Sequence, residues 1–255
     1  MPADPATASF KDHFSGHADA YARYRPNYPP ALFAWLAGEA PARRLAWDCA
    51  TGNGQAAVAL AEHFARVEAT DASERQLLQA VRHPRVAYTV APAERSGLEP
   101  ASVDLVTVAQ ALHWFDLPAF YAEVARVLVP GGLLAVWGYG VFTAGAEVDA
   151  VVGHLYTDVV GPYWPPERAA LDRGYPVDLP FPRVAAPPFA MEQAWTADDV
   201  VGYLGTWSAV QRYRQTHGDD PVAGVEPALR RAWGAGPRPV RWPLFLHVGR
   251  APGGG

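Results

Sequence analysis

The chain has 255 residues, of which 50% are hydrophobic and 18% are charged, with a formal net charge of −5. This balance favours a packed core over a disordered chain, and the negative charge argues against a nucleic acid partner held through its phosphates. Cys49 is the only cysteine, which excludes a disulfide framework and a cysteine-based zinc site. The N-terminal stretch lacks a signal-peptide pattern and no apolar run reaches membrane-spanning length, so we expect a cytoplasmic protein without a membrane partner.

Strand-like and helix-like segments alternate through the first half of the chain. The predicted strands lie at 44–50, 66–70, 85–90, 103–109 and 133–139. Helix-like segments run from Gln55 to Ala65 and from Ser73 to Val81, and a capping box between Ser73 and Gln76 opens the second. A third helix begins near Pro118 and stops before Pro130-Gly131-Gly132. Such alternation predicts an α/β fold with a doubly wound, mostly parallel sheet.

The pattern changes after the fifth predicted strand. Residues 140–188 are rich in proline and aromatic residues and lack strand periodicity, which predicts a cap at this point. Further along lie a strand-like segment at 189–195, a helix start at 196–199 and a final strand-like segment at 242–249. Because Pro243 has no N–H to donate, we expect regular pairing of the last strand only from Leu244 onward.

The stretch DCATGNGQ (48–55) sets closely spaced glycines between the first strand and the first helix. Together with Ala57 it fits the G-x-G-x-x-G/A pattern, which lets a backbone approach a nucleotide-like ligand. Asp71 ends the next strand, where a carboxylate can bind both hydroxyls of a ribose. On these residues alone NAD and S-adenosylmethionine fit equally well, and a loop without a ligand is the structural alternative.

Asp48 separates the two cofactors. A dinucleotide places its pyrophosphate on the helix N-terminus just beyond the first strand, where an ionised carboxylate would repel it. S-adenosylmethionine instead carries an ammonium and a sulfonium in that region, and a nearby carboxylate stabilises both. In addition, 44 residues precede Leu45, whereas dinucleotide-binding chains commonly begin near their first strand. We therefore predict S-adenosylmethionine, with an NAD-dependent oxidoreductase as the alternative.

Several stretches of the chain resemble the motifs of one enzyme family. They are DCATGNGQ (48–55), ATDAS (69–73), APAERSGLEPASVDLVTVAQALHWFD (91–116) and EVARVLVPGGLLAVWGY (123–139). They look like motifs I to III and the region around strand five of class I S-adenosylmethionine-dependent methyltransferases. The nearest group is methyltransferase type 11, which includes enzymes similar to trans-aconitate methyltransferase. FSGHADAYARYRPNYPPAL (14–32) resembles the opening segment of the same group.

The resemblance implies a Rossmann-like sheet of seven strands, with an aromatic and proline-rich helical cap inserted after strand five. It also implies a single methyltransferase domain over residues 1–255. The expected parts are an N-terminal helical segment over the cofactor site (1–44), the cofactor-binding core (45–139), the cap (140–188) and the C-terminal strands and helix (189–250). The likeness is close over about residues 10–140 and loose beyond them.

The resemblance also implies contacts to the cofactor. Asp48 would meet the methionine ammonium through water, and Asp71 would bind the ribose hydroxyls. Gln110 and Ala111 would contact the methionine part through their main chain. The other implied cofactor contacts are Ala50, Gly52, Asn53, Gly54, Ala72, Ala93 and Glu94.

Two positions depart from the pattern of the family. Ala50 replaces the first glycine of the usual D-x-G-x-G-x-G, and because alanine adds only a methyl group we expect a slightly tighter loop that still binds. Pro92 stands where the family often has an acid, which leaves the recognition of adenine N6 open.

Residues near the ends of strands four and five are candidates for the acceptor site. His113 is the predicted general base, needed only if the acceptor is a hydroxyl or a carbon acid. Trp114 is a predicted acceptor contact that could also face the sulfonium by cation–π attraction. The other predicted acceptor contacts are Tyr21, Arg25, Tyr28, Tyr139, Tyr163 and Trp164. For each of these aromatic residues, packing is the structural alternative.

Arg25 precedes Pro26, which biases it away from helical geometry. Its planar guanidinium suits a carboxylate, either that of the cofactor or that of an acidic acceptor. The alternative is a surface arginine in a weak, solvent-screened pair with Asp19.

These residues predict a methyltransferase that acts on a small molecule, with carboxylic acids as one acceptor class. The methyl group would move by in-line displacement, promoted by positioning and by exclusion of water. The histidines show no metal-ligand spacing, so no metal is predicted. The expected assembly is a monomer or a homodimer. A non-catalytic S-adenosylmethionine-binding protein is a further alternative, in which the cap would leave no room for an acceptor.

Overall fold

The computed structural model describes residues 26–169, 173–175 and 177–253. The strands are β1 (Leu45–Cys49), β2 (Arg66–Asp71), β3 (Val86–Val90), β4 (Val103–Ala109), β5 (Leu128–Tyr139), β6 (Arg183–Val184), β7 (Ala190–Trp195) and β8 (Arg238–Arg250). The α-helices are α1 (Pro30–Glu39), α2 (Gln55–Ala61), α3 (Glu74–Leu78), α4 (Leu117–Val127), α5 (Ala146–His154), α6 (Ala197–Gly205), α7 (Ser208–His217) and α8 (Pro221–Trp233). Short 3₁₀ turns lie at Leu112–Trp114, Gly161–Tyr163 and Pro166–Arg168, and a π-helical turn lies at Leu155–Val159.

The strands follow the order β3-β2-β1-β4-β5-β8-β6 across the sheet. Strands β1 to β5 are parallel, whereas β8 runs antiparallel to both β5 and β6. The predicted Rossmann-like, mostly parallel sheet is therefore confirmed, but one of the seven strands along this path, β6, lies in the segment for which the sequence predicted no strand. An eighth strand, β7, pairs with the first half of β8.

The sequence of β4 shows why the sheet is covered on both faces. Val103, Leu105, Val106 and Val108 are all fully buried. Leu105 belongs to the core layer that includes α1 and α2, whereas Val106 and Val108 belong to the opposite layer, which includes α4. A near-continuous apolar run of this kind is typical of a parallel strand between two helical layers.

Strand β5 begins earlier than the sequence predicted. It starts at Leu128 and runs through Pro130-Gly131-Gly132, a stretch that the sequence analysis placed between helix and strand. The register against β4 shifts there, because Val103 pairs with Leu128 whereas Leu105 pairs with Leu133. Such a bulge tolerates proline, since the local ladder is already interrupted.

The predicted helix starts are present, but two helix ends differ. Ser73 caps α3 through its side chain, and α6 opens with a reciprocal capping box between Thr196 and Asp199. Helices α2 and α3 each end three or four residues before the predicted position. For α2 the reason is visible: the Ala65 N–H donates to the Arg43 carbonyl at 2.9 Å, so the chain is already turning into β2.

Strand β8 pairs with different strands in its two halves. From Leu244 onward it pairs with β5 and β6, but the expectation that regular pairing begins only there is wrong, because its first half, including Pro243, pairs in continuous register with β7. In that half the main chain of Arg241 exchanges two hydrogen bonds with Thr143, on the side away from β7. Pro239 and Pro243 each lie two residues from Arg241, so their main-chain nitrogens also face away from β7. Neither proline therefore removes a hydrogen bond to β7.

Three helices between β7 and β8 extend the cap, where the sequence predicted one. Helix α8 packs on α5, and α7 packs on the 3₁₀ turn at Gly161–Tyr163. Aromatic rings join the two parts, with centroid distances of 5.5 Å between Trp164 and Trp207 and 5.5 Å between Tyr156 and Trp207. The first part of the predicted cap, from Phe142 to Trp164, therefore shares one aromatic core with α6 to α8, whereas Tyr175, Val177 and Leu179 pack in the opposite layer with α4. Within the described ranges, every helix is too short or too polar to cross a membrane.

Candidate cofactor and acceptor site

The carboxyl ends of β1, β2, β4 and β5 meet at one edge of the sheet, because these strands are parallel and adjacent. Open α/β sheets bind ligands at this edge. The glycine loop leaves β1 there, Asp71 ends β2, Gln110 follows β4 and Tyr139 ends β5. The fold thus brings these four predicted parts of the site to one edge.

The glycine loop turns through three left-handed residues. Ala50, Gly52 and Gly54 have φ values of 54°, 58° and 82°, and the Thr51 N–H holds the loop to β2 by donating to the Thr70 carbonyl at 2.9 Å. Glycine accepts this conformation freely, whereas an alanine pays about 1–2 kcal/mol. The only effect predicted for Ala50 was a slightly tighter loop caused by its methyl group. The structure shows that Ala50 also carries backbone strain.

Tyr88 explains why residue 54 is glycine. A Cβ at Gly54 would lie 2.2 Å from the Tyr88 hydroxyl, which itself donates to the Val81 carbonyl at 2.7 Å. The Val81 N–H in turn donates to the Asn53 carbonyl at 3.1 Å. Tyr88 and Val81 therefore brace Asn53 and Gly54 from the side of β3.

Asp71 is oriented by two main-chain donors. Its Oδ2 accepts from the Gly52 N–H and its Oδ1 from the Ser73 N–H, both at 2.8 Å. The residue is 7% exposed, and burial raises the pKa of the carboxyl group, although the two N–H donors oppose that shift. Each oxygen keeps a further lone pair, so the carboxylate can still accept from two hydroxyls. The adjacent Ala72 is exposed.

Asp48 lies beneath the glycine loop and is only 1% exposed. Its two carboxylate oxygens accept from the hydroxyls of Thr51 at 2.6 Å and Thr107 at 2.7 Å. Burial raises the pKa of Asp48 to about 6, although both threonine hydrogen bonds oppose the shift. A contact to the methionine ammonium through water remains a prediction for this residue.

The loop that carries Ala93 and Glu94 is fixed to α4. Ala93 is buried, and Glu94 Oε1 accepts from the Asp116 N–H at 3.0 Å. Two residues further on, the Ser96 N–H and hydroxyl both donate to Glu123. Arg126, which also pairs with Glu123, lowers the pKa of this carboxyl to about 2. The wall predicted for the adenine is thus a constrained loop.

Gln110 follows β4 in a left-handed conformation, with φ of 59°. Its main-chain N–H donates to the Trp137 carbonyl at 2.9 Å, and its side-chain Nε2 donates to the Tyr139 carbonyl at 3.1 Å. Oε1 of the same side chain is buried and has no hydrogen-bond partner among the described residues. Ala111, the next residue, is buried.

His113 and Trp114 lie in the 3₁₀ turn after β4. Their ring centroids are 4.8 Å apart, and the His113 ring lies 6.2 Å from the Tyr175 ring in an edge-to-face arrangement. Trp114 is 39% exposed, so part of its ring is available to a ligand. The neighbouring Asp116 caps α4 by accepting from the Ala119 N–H. The turn therefore presents both predicted residues at the ligand-binding edge.

Tyr28 packs against the end of β5. Its ring centroid lies 5.5 Å from that of Trp137 and 6.4 Å from that of Tyr139, both edge to face. Upstream of it, Tyr21 and Arg25 lie outside the described residues. The first described residue, Pro26, accepts a hydrogen bond from the Gln55 side chain at 3.2 Å.

Tyr163 and Trp164 pack within the cap. The Tyr163 hydroxyl is hydrogen-bonded to His217 of α7, and Trp164 Nε1 donates to the Tyr156 carbonyl at 3.1 Å. The Arg168 guanidinium stacks on Trp164 at 4.3 Å. These contacts tie both rings to cap residues, and their predicted role toward the acceptor remains a prediction.

Sequence reasoning did not single out four residues that shape this edge: Thr51, Gln55, Tyr88 and Thr107. One signal was available for Thr107, because it is a polar residue inside an apolar strand, and it lies directly opposite Asp48 in the β1–β4 register. Tyr88 gave no comparable signal, since its contact to Gly54 crosses from β3 past β2. Among the described residues, no cluster of His, Cys, Asp or Glu side chains could hold a metal ion.

Comparisons with known proteins agree with this geometry. A family model described as a methyltransferase domain, of type 11, matches residues 47–136. A Dictyostelium discoideum protein named as a methyltransferase is 33% identical over 235 residues, covering 90% of this chain and 89% of that protein. A solved structure from Anaeromyxobacter dehalogenans, described as a type II methyltransferase, is 52% identical with a TM-score of 0.85, covering 90% of this chain and 99% of that chain. An uncharacterised methyltransferase of Mycobacterium tuberculosis is 41% identical over 127 residues, covering 49% of this chain and 51% of that one.

The chain belongs to the class I S-adenosylmethionine-dependent methyltransferases. S-adenosylmethionine is accordingly its cofactor, as the sequence predicted. Membership of this family decides against the oxidoreductase and against the non-catalytic alternative.

The site of the methyltransferase fits this cofactor chemically. Asp71 offers a preoriented carboxylate for the hydroxyls of a ribose, and its orientation comes from the glycine loop itself. The side-chain oxygen of Gln110 adds a buried hydrogen-bond acceptor after β4, two strands away from Asp71 on β2. No described side chain here forms a phosphate site, and Asp48 would oppose one.

Proposed function

We propose that the methyltransferase acts on a small molecule bound where the ends of β4 and β5 face the N-terminal segment and the cap. The observation that carries this proposal is the aromatic surround of Tyr139, which ends β5 and packs against Tyr28. A flat macromolecular substrate would call for an open, charged surface, whereas rings around a strand end suit a compact acceptor. Carboxylic acids are the first acceptor class to test, because the planar guanidinium predicted at the acceptor site, that of Arg25, suits a carboxylate.

In this proposal the cofactor lies across the ends of β2, β1 and β4. Asp71 binds the ribose hydroxyls, and the loop that carries Ala93 and Glu94 borders the adenine. Gly52 and Gly54 allow the backbone to approach the ligand. When bound, S-adenosylmethionine supplies an electrophilic methyl group on a sulfonium, and the sulfur leaves with the electron pair of the C–S bond.

The residues of the chain contribute mainly by positioning. A carboxylate acceptor is already ionised, so it attacks without a general base and Arg25 orients it. A hydroxyl acceptor must lose its proton, and His113 then takes it. Trp114 and Tyr28 exclude water from the reacting groups, which strengthens electrostatic interactions within the site.

The first test is cofactor binding by titration calorimetry. We expect S-adenosylhomocysteine to bind the parent protein and NAD not to bind. Asp71→Ala should raise the dissociation constant of S-adenosylhomocysteine about tenfold or more, because charge-assisted hydrogen bonds contribute about 1.5–3 kcal/mol each. Tight binding of NAD, or equal binding by Asp71→Ala and the parent, would contradict this placement of the cofactor.

The second test identifies the acceptor. Transfer of a labelled methyl group should be measured across small carboxylic acids and their matched alcohols. A substrate that carries a carboxylate should lose at least about tenfold in kcat/KM with Arg25→Lys, which keeps the charge but loses the bidentate fork. The melting temperature should stay nearly unchanged. Parent-like turnover by both Arg25→Lys and Arg25→Ala would assign Arg25 to the surface.

A further inference from the structure

The Gln110 side chain has a fixed orientation. Its amide is bonded to the Tyr139 carbonyl at 3.1 Å, and only the NH₂ end of an amide can donate to a carbonyl. This assigns the nitrogen to the β5 side and Oε1 to the free side of the group. The ambiguity between amide oxygen and nitrogen that affects many glutamines is thereby resolved.

The free side of the Gln110 amide therefore offers Oε1, which can only accept a hydrogen bond. It is buried and receives no hydrogen bond within the described part of the chain. A buried carbonyl without a donor is unfavourable, because it has lost its hydrogen bonds to water and has gained none in return. The residue also holds a left-handed φ of 59°, which a glutamine adopts only when its surroundings impose it. Such features concentrate where a ligand binds.

The position of Gln110 selects one group of the cofactor. S-adenosylmethionine can donate hydrogen bonds from its ribose hydroxyls, its adenine amino group and its methionine ammonium. In the proposed placement the ribose is at Asp71 on β2, and the adenine is beside Ala93 and Glu94. Strand β4 lies two strands from β2, on the other side of β1. The ammonium is the donor that remains for this end of the site.

The geometry points to the Gln110 side-chain carbonyl as a binding group for the methionine ammonium of the cofactor. This inference rests on the proposed placement of the ribose at Asp71. It assigns a role to the side chain, in addition to the main-chain contact implied by the family. Tyr139 takes part indirectly, because its carbonyl holds the amide in the orientation that presents Oε1.

The test compares two ligands by calorimetry. S-adenosylhomocysteine carries the ammonium, whereas 5′-methylthioadenosine has the same nucleoside without the amino-acid part. The quantity of interest is the ratio of their dissociation constants, which reports binding of the amino-acid part alone. Gln110→Met keeps the size of the side chain but removes the acceptor, and it should reduce this ratio at least tenfold. Gln110→Glu retains an acceptor for a cation and should keep the ratio or raise it.

Two controls separate the possible failures. Gln193→Met, at a partly buried position on β7, should leave both ligands unaffected. Asp71→Ala should weaken both ligands equally, because both carry the ribose, so the ratio should not change. If Asp71→Ala affects neither ligand, the proposed cofactor placement fails. If Asp71→Ala behaves as expected while the ratio in Gln110→Met or Gln110→Glu contradicts these expectations, only the assignment of Gln110 is wrong. Should Gln110→Met fail to fold, the ratio in Gln110→Glu decides alone, and a fall below the parent value overturns the inference.

Discussion

Gln55 joins the helix that follows the glycine loop to the segment that precedes α1. Its Nε2 donates to Asn27 Oδ1 at 2.7 Å and to the Pro26 carbonyl at 3.2 Å. Gln55 is the first residue of α2, so the loop and this segment are fixed to each other at one point. Through this contact a change in the cofactor loop can reach the residues proposed to surround the acceptor.

We expect Gln55→Leu to raise the dissociation constant of S-adenosylhomocysteine about three- to tenfold, because the segment at Pro26 and Asn27 is then no longer fixed to α2 and has to be ordered when the ligand binds. The melting temperature should fall by only a few degrees, since the residue lies at a helix start. Calorimetry and thermal unfolding provide the two measurements. Gln79→Leu, at an exposed glutamine at the end of α3, is the matched control and should match the parent in both.

Asp48 should make the ligand-free protein less stable as pH rises. The pKa of its carboxyl is about 6 in the folded protein against 3.8 for an unperturbed aspartate, so the folded state binds more protons between these values. The stability linked to this proton is present below pH 4 and is lost as pH rises through 6. Asp48→Asn removes this dependence. The free energy of unfolding of Asp48→Asn relative to the parent should therefore increase by about 2–3 kcal/mol between pH 4 and pH 7.

Denaturant unfolding at pH 4, 5.5 and 7 measures this difference for Asp48. The same variant should bind S-adenosylhomocysteine more weakly at pH 7, because the proposed attraction to the methionine ammonium is lost. A difference in stability that does not vary with pH would show that Asp48 stays ionised throughout. The two hydroxyl donors, Thr51 and Thr107, would then outweigh its burial.

Gly54→Ala and Gly52→Ala should differ in cost, although both residues are left-handed. A Cβ at Gly52 meets its nearest atom at 4.0 Å, so only backbone strain of about 1 kcal/mol applies. A Cβ at Gly54 must also displace the Tyr88 hydroxyl from its hydrogen bond to Val81, which adds about 1 kcal/mol or more. Urea unfolding should therefore rank Gly54→Ala as the more destabilising of the two.

A double-mutant cycle tests the cause of the difference at Gly54. In a Tyr88→Leu background the added cost of Gly54→Ala should fall to about that of Gly52→Ala, since the obstructing hydroxyl is gone. Equal costs of Gly54→Ala in both backgrounds would mean that Tyr88 moves freely and does not brace the loop.

Replacing Tyr163 and Trp164 together by alanine should reduce affinity for the acceptor much more than affinity for the cofactor. The two rings belong to the cap, which follows the strand that borders the proposed acceptor site, and loops at such places commonly carry specificity. Calorimetry with S-adenosylhomocysteine and the KM of the acceptor found by the methyl-transfer screen provide the comparison. Trp164→Phe, which keeps a ring against Arg168, is the conservative control. Equal losses of affinity for the acceptor and the cofactor would mean that Tyr163 and Trp164 serve only in packing.

The parallel core of the fold was predictable because its signals are local. Strand β4 has the predicted bounds, since a run that is apolar apart from Asp104 and Thr107 can be buried only between two layers. The capping box at Thr196 was not identified as such, but the start of α6 was, because Thr196 and Asp199 lie only three residues apart in the sequence. The inference from Pro243 was wrong, because its missing N–H would point away from β7 and β8 pairs regularly from Arg238.

The remaining features depend on contacts between distant parts of the chain. The left-handed conformations of Ala50 and Gln110 arise where strands end against their neighbours, and neither residue type favours that conformation. The helices α7 and α8 pack on cap residues far upstream, so local sequence periodicity did not predict them. The bracing of Gly54 by Tyr88 likewise joins residues on β3 and after β1, and no local pattern encodes it.

Strand β8 has a mechanical consequence for the acceptor end of the site. One continuous backbone holds β5 through residues 244–250 and β7 through residues 238–243. The two pairings occupy separate stretches of β8 that meet between Pro243 and Leu244, so a movement of β7 relative to β5 has to bend β8 at this junction. The stiffness of this single junction, more than the strength of either ladder, should therefore limit how far the acceptor end can open.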